Sequence, residues 1–481
     1  MSKPLSIREE AVEDLLNPVS EHTGIVKIQG PFTDKQLQSI CNGMVFLRRL
    51  GLVSIIVIDL DDWNASAEGA RQRIVNEVMR VAEMIEGHGG SARPIMDPTL
   101  KRHRKTGKLV LDSIKSLRSA IRRGEIPVLP PFCLEEGGIS SCISPNELIP
   151  ALSEALAQKS IQAENEIDLT PVRIMIINRE GGIPSHARGG TPHLSINLES
   201  EYEFICKTFE WEKSHPTALD NLTLMRDCLS VLPRTASAVV VSHRSPKALV
   251  ANLVTNRPAH SPSLHMSAFP AHVKLDRTPT ILRHGLPIRV HQDLKDVDLT
   301  ALTRLLEASF GKTLNQDAYY SRLNHCLDFI IIAGDCAAVA IVTKEGSQGE
   351  VSYLDKFAVL PSLQGDGTVD FMWGALRDES FGLGLLDALN NNGGLEGRGQ
   401  GVDLVWRSRA NNPVNKWYFE RSNGFVKLAE MGKGGTPGML FWCDAEKRVE
   451  SYEKHGFMAK EEEKRLAHWS NVVGAIKSCW K

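Results

Sequence analysis

Arg407 and Arg409 flank Ser408 at the end of the strand-like run VDLVWRSR. Residues two apart on a strand point to one face, and two guanidinium forks side by side suit carboxylates, each gripped through both oxygens. A dicarboxylate would need such a pair. Upstream lies a second chemical feature, Gln364-Gly365-Asp366-Gly367-Thr368-Val369. Glycines just ahead of a helix let backbone N–H groups approach a phosphate with no Cβ in the way, and the helix N-terminus adds about half a positive charge. The stretch therefore reads as a pyrophosphate cradle. In isolation each feature has a plainer reading: a solvated strand end for R-x-R, and an ordinary loop for Gln-Gly-x-Gly.

Position depends on the flanking elements. The mostly apolar run Val351–Leu360 is rich in strand formers and is stopped by Pro361. Val369, Met372, Trp373 and Leu376 then recur at helical spacing, so strand, glycine turn and helix follow one another. Ahead of them the sequence predicts helices at Asp298–Phe310 and Gln316–Leu323 and a hairpin, FIIIAGDCAAVAIVT, turning at Gly334-Asp335. After them come a polar glycine and asparagine loop (390–401), the arginine strand, a helix start at PVNKWYF, and strands at Phe425–Leu428 and Met439–Trp442. The N-terminal half opens as strand, helix, strand (GIVKIQG, DKQLQSICNGMVFLRRLG, LVSIIVIDLDDW), which predicts a parallel sheet. Helices are expected over Glu68–Gly87 and Leu100–Arg123, with further strands at Pro171–Ile177, His193–Leu198 and Ala236–Ser242. A proline-rich connector (257–287) precedes a boundary near His291. The division is a lead-in (1–20), a first α/β unit (21–290), a second (291–445) and a charged helical tail (446–481).

At 481 residues the chain exceeds one ordinary core. With 42% hydrophobic and 24% charged residues and a net charge of -2, its composition is that of a soluble globular protein with no excess charge to favour nucleic acid or an acidic membrane. The basic run KRHRKTGK (101–108) has no aromatic residues for base stacking and reads as a solvated loop. Nine cysteines without a C-x-x-C pair indicate reduced thiols, and Cys326, Cys336 and Cys443 read as core. Fifteen histidines show no metal spacing, and Cys133 and Cys142 lack the rest of a zinc set. No apolar run approaches the ~18 residues of a membrane span. Gly311-Lys312-Thr313 is not a Walker motif, because Leu306 stands where its first glycine belongs.

The hexapeptide 364–369 fits the Q/R-x-x-G-x-G/A turn of acetyl-CoA-dependent N-acetyltransferases of the GNAT superfamily, with Val369 in place of the final small residue. Tyr353-Leu354-Asp355-Lys356-Phe357, Trp406-Arg407-Ser408-Arg409, Asn412-Pro413 and Trp417-Tyr418-Phe419 together resemble the acetyltransferase domain of the N-acetylglutamate synthases, most closely the fungal mitochondrial type. The resemblance is strongest over 350–445. It implies an α/β chain with an amino-acid-kinase-like α/β/α sandwich followed by a GNAT domain. It implies transfer of acetyl from acetyl-CoA to the amine of L-glutamate, the first step of arginine biosynthesis. On the same resemblance Lys312, Lys356, Arg407, Ser408, Arg409 and Asn412 bind glutamate. Phe357, Val359 and Gln364, Gly365, Asp366, Gly367, Thr368 and Val369 bind acetyl-CoA. Direct transfer needs a neutral amine, a held oxyanion and a proton for the departing thiolate. A backbone N–H of Phe357–Val359 suits the oxyanion. Tyr353, in the run beside the substrate, is the first choice of proton donor; Tyr418 is the second, or a CoA contact.

The first unit departs from active amino-acid kinases in both phosphate loops. It has Lys27-Ile28-Gln29-Gly30-Pro31 at the first, and Asp59, Asp61 and Asp62, which would repel ATP phosphates, at the second. A scaffold without kinase activity is expected. The resemblance further implies arginine as feedback inhibitor, self-assembly, N-acetylglutamate kinase as a partner, and the mitochondrial matrix as location; the start MSKPLSIREEAVEDLL is acidic where a presequence is basic, so either there is none or it has been removed. Two rival readings follow: a non-catalytic regulatory partner with the same fold, and a bifunctional synthase and kinase.

Overall fold

The structure, a computed structural model, describes residues 22–158, 168–186, 190–244, 278–363, 367–377, 403–428, 437–445, 448, 451–452, 456 and 459–481. It forms two compact units, residues 1–184, 211–259 and 275–284 in one, and 185–210, 260–274 and 285–481 in the other.

In the first unit β1 (His22–Gly30), α1 (Asp34–Arg49) and β2 (Leu52–Leu60) realise the expected parallel opening, β1 pairing with β2 from His22↔Leu52 to Gly30↔Leu60. Both strands are buried along nearly their whole length, as a sheet covered on both faces requires. Helix α2 (Ala70–Gly87) follows, then β3 (Ala92–Pro94), β4 (Ile126–Leu129), β5 (Pro171–Asn178), β6 (Ser237–Ser242) and β7 (Thr280–Arg283). Their order across the sheet is β7-β6-β5-β1-β2-β4-β3. The helix expected over 100–123 is corrected: Leu100–Arg102 and Leu109–Leu111 form an antiparallel pair, and only Lys115–Arg122 is helical. The basic run has no apolar stripe to bury, and Gly107 at φ 67 turns the chain back.

The second unit is one seven-stranded sheet. Its elements are β8 (Ile288–His291), α3 (Leu299–Phe310), α4 (Gln316–Cys326), β9 (Leu327–Ala333), β10 (Ala338–Glu345), β11 (Val351–Val359), α5 (Thr368–Arg377), β12 (Leu404–Arg409), α6 (Asn415–Phe419), β13 (Gly424–Leu428), β14 (Gly438–Cys443) and α7 (Ala459–Ala475). The strand order is β8-β9-β10-β11-β12-β14-β13. Helix α3 starts where Asp298 accepts hydrogen bonds from the N–H groups of Thr300 and Ala301 and ends at left-handed Gly311. On one face of the sheet the stripe of α5 (Met372, Trp373, Leu376) packs with Leu354, Val359, Leu404 and Trp406. On the other, α3 and α4 cover Ile330, Ile341 and Ala358, and α7 covers Tyr353, Val405 and Leu440.

Two irregularities of β11 shape the site. Its register against β10 slips between Ile341↔Lys356 and Val342↔Leu354, so Asp355 is an extra residue, a bulge. The slip puts Leu354, Phe357 and Val359 on the α5 face and Tyr353 and Ala358 on the opposite one, a sorting that strict alternation forbids. In addition, β11 pairs with parallel β12 at Ser352↔Leu404 and Tyr353↔Val405, and beyond these pairs the two strands part.

Candidate acetyl-transfer site

A cavity of about 800 Å³ lies where β11 and β12 part. Lys312, Tyr353, Lys356, Phe357, Arg407, Ser408, Arg409, Asn412 and Tyr418 all line it, so one place gathers residues far apart in the sequence. Five cationic side chains, Lys312, Lys356, Arg407, Arg409 and Lys477, face it against one carboxylate, Asp355.

Asp355 is already neutralised. Its carboxylate accepts hydrogen bonds from the Tyr319 hydroxyl and the Lys356 ammonium, each at 2.8 Å, and from the Arg322 guanidinium. Burial works against its charge, yet Lys356 and Arg322 outweigh that and hold the carboxyl below its usual range. Arg322 also binds Glu345 at 2.6 Å. Lys356 donates a second bond to the Asp355 carbonyl at 3.0 Å, and three protons on its nitrogen leave one for a ligand. The sequence assigns no role to Asp355 beyond its place in the 353–357 motif, and none to Tyr319 or Arg322. A carboxylate inside an apolar strand was the available signal, since such a group stays buried only when paired.

By strand alternation Arg407 and Arg409 share the face of Val405 and Tyr353, as expected. Arg407 does more than line the cavity: its guanidinium donates to the carbonyls of Val473 and Ile476, both at 2.9 Å, at the end of α7. Asn412 donates to the Ser408 hydroxyl at 2.9 Å, closing the turn after β12. Across the sheet Trp406, Trp373, Trp417, Phe357 and Tyr418 form a ring cluster, with Trp406 and Tyr418 edge-on at 5.5 Å and Phe357 stacked on Trp417 at 5.8 Å. Burial pushes the Tyr418 phenol up to about 12 and raises that of Tyr353 further. Both therefore keep their protons at neutral pH.

Of the expected cradle, the described residues Gly367, Thr368 and Val369 do not line this cavity. Gly367 adopts φ 95, where a side chain is disfavoured, and its carbonyl accepts the Phe371 N–H at 3.0 Å to start α5. Thr368 is buried, and Val369 packs on the core, so the branched residue in place of a small one is accommodated. Gln364, Gly365 and Asp366 lie outside the described residues. Val359 does not line the cavity; it is core, and its carbonyl accepts the Ser309 hydroxyl at 3.2 Å. The residues fit a CoA thioester: the indole N–H of Trp406, buried at the cavity wall, has no hydrogen-bond partner among the described residues, and an amide carbonyl would supply one. The tail, to which the sequence reading gave no role, supplies Ser470 and Gly474–Trp480 to the lining.

An α/β unit whose sheet opens between two parallel strands beside a glycine-started helix is the architecture of a CoA-dependent N-acetyltransferase. The family model for the N-acetyltransferase of N-acetylglutamate synthase matches residues 289–385 and 399–458. The chain is 46% identical over 508 residues to the mitochondrial amino-acid acetyltransferase of Coprinopsis cinerea, covering 98% of this chain and 81% of that protein. It is 47% identical over 496 residues to that of Laccaria bicolor, covering 98% and 87%. Among solved structures it is similar to N-acetylglutamate synthase from Neisseria gonorrhoeae complexed with coenzyme A and N-acetyl-glutamate, with TM-score 0.52 and 13% identity over 91% of this chain and 97% of that one, a likeness of fold. The chain belongs to the family of mitochondrial amino-acid acetyltransferases. It is an acyltransferase with acetyl-CoA as co-substrate, and the mitochondrial location implied by the resemblance is the one its relatives' names carry.

Proposed function

We propose that the chain makes N-acetylglutamate by direct transfer, with acetyl-CoA on the α5 face, L-glutamate on the opposite face, and the gap between β11 and β12 as their meeting point. The observation that carries this reading is the charge of the cavity: among the described residues, Lys312, Arg407, Arg409 and Lys477 line it beside a Lys356–Asp355 ion pair. Glutamate brings two carboxylates, and Lys312, Lys356, Arg407 and Arg409 are assigned to them, with Asn412 and Ser408 ordering the turn.

The glutamate amine, once neutral, attacks the thioester carbonyl. A backbone N–H of Phe357–Val359 that is not bonded to β10 is assigned to the oxyanion. When the tetrahedral intermediate collapses the C–S bond breaks, the thiolate takes a proton from the tyrosine acid, and the proton shed by the new amide nitrogen passes to solvent, from which the acid is reloaded. Their faces support different roles for the two tyrosines. Tyr418 packs with Trp406 and Phe441 on the CoA side and is assigned to the thiolate; Tyr353 stands on the amino-acid side. Gly367, Thr368 and Val369, with the preceding 364–366, are assigned to the pyrophosphate, and Phe357 to the acyl arm.

In the first unit Lys27 is buried, with its ammonium 2.9 Å from Asp59, 2.7 Å from Asn146 and 3.0 Å from Asn221. All three of its protons are engaged, which supports a scaffold rather than a phosphoryl-transfer site. Arginine feedback, self-assembly and pairing with N-acetylglutamate kinase belong to the same reading and rest on the resemblance. The test is CoA thiol release against a glutamate dose series, repeated with arginine. A folded preparation that releases no thiol in response to glutamate would support the non-catalytic rival.

A further inference from the structure

The segment after α7 is stitched to both ends of the proposed glutamate subsite. At one end Arg407 on β12 holds the Val473 and Ile476 carbonyls. At the other, the chain runs antiparallel to the loop that carries Lys312: Asn315 N–H donates to the Cys479 carbonyl at 2.9 Å, Lys481 N–H donates to the Thr313 carbonyl at 3.0 Å, and Leu314 bridges Trp480. Between the two ends the Trp480 ring lies 5.1 Å from that of Phe310, the last residue of α3, and 5.9 Å from the Lys356 nitrogen. Lys312, Lys356 and Arg407 come from three different elements, and this one segment touches the setting of each.

We propose that Trp480 is a positioning residue for the amino-acid substrate, fixing the Lys312 loop and the Lys356 ammonium at the separation that two carboxylates require. The inference rests on the functional reading above. Its physical basis is preorganisation. The loop Gly311–Asn315 joins two helices and has no place in the sheet, so without an anchor its lysine would be ordered only at the moment of binding, at a cost in affinity. Backbone pairing of 313–315 with 479–481 and buried Leu314 hold one end of the loop; the indole completes the anchor at the other end through ring packing on Phe310, and with the Tyr319 ring at 5.1 Å it faces the Lys356 nitrogen. None of these contacts lies on the α5 face, so the acetyl-CoA side is untouched.

The test measures both Michaelis constants in the intact chain. Trp480→Ala raises the glutamate KM about tenfold or more while the acetyl-CoA KM stays within about twofold, and Trp480→Phe, which keeps a ring on Phe310, recovers most of the loss. An unmoved glutamate KM, or equal rises in both constants, overturns the inference. Should Trp480→Ala not fold, Phe310→Ala removes the ring on which Trp480 packs and is read by the same outcomes. The unsubstituted chain is assayed first. No turnover there overturns the functional reading and this inference with it; turnover there with an unmoved constant in the variant overturns this inference alone.

Discussion

Arg407 carries two loads, which separates it from its neighbour Arg409. Both face the cavity, but only Arg407 also caps the carbonyls at the end of α7. Arg407→Ala is therefore expected to raise the glutamate KM far more than the acetyl-CoA KM and also to lower the melting temperature. Two charged donors to the Val473 and Ile476 carbonyls are lost, about 1–3 kcal/mol in all. Equal effects on both substrates would remove its carboxylate role. Tyr418 makes the second prediction at this scale. Tyr418→Phe should lower kcat about a hundredfold and Tyr353→Phe much less, as measured by steady-state thiol release. Because the phenol is pushed up to about 12, kcat/KM for glutamate should climb with pH over about 7 to 9 as the amine deprotonates, with no downturn from the tyrosine. The sign for stability follows: with an unfolded value of about 10, the phenol's contribution is full below about pH 10 and is lost as the pH rises towards 12. The arginine pair and the tyrosines were legible because they sit in a long run of matching segments. Arg407's second partner was not, since no local pattern connects it to carbonyls more than sixty residues away.

Among the elements, β11 shows how far periodicity can take a sequence reading. Its limits and its glycine turn were readable from strand formers and Pro361, but the bulge at Asp355 was not, because alternation says nothing about an inserted residue. That bulge sorts the strand's side chains between the two faces of the sheet, and its carboxylate is held by Arg322, Lys356 and Tyr319. Asp355→Asn should destabilise the chain by about 3 kcal/mol at neutral pH in a denaturant titration, since it leaves part-buried cations without their counter-charge. The folded carboxyl titrates below its usual value of about 3.9, so its contribution is present above about pH 4 and lost as the pH falls through the folded value. The variant should lack that component of acid unfolding. The tail teaches the converse. Its helix was foreseen from charge and composition, whereas its place against the Lys312 loop depends on backbone pairing that no motif records.

At the scale of the molecule, the parallel opening of the first unit and the order of elements in the second were both readable from alternation and turn residues. The expected electrostatic block at the old phosphate loop needs correction. Asp59, Asp61 and Asp62 are each paired, with Lys27, Arg179 and Arg73, so three bare charges do not confront a nucleotide. What argues against phosphoryl transfer is the lysine: Lys27 is wholly engaged by Asp59, Asn146 and Asn221. Incubation with ATP and N-acetylglutamate should yield no ADP above background, and ADP formed in proportion to enzyme would establish the bifunctional reading. The parting of β11 from β12 has a consequence for kinetics. If the thioester enters from one side of the sheet and the amino acid from the other, neither doorway is closed by the other's occupant. Addition then has no compulsory order, and the spent CoA competes with its successor without obstructing the next glutamate.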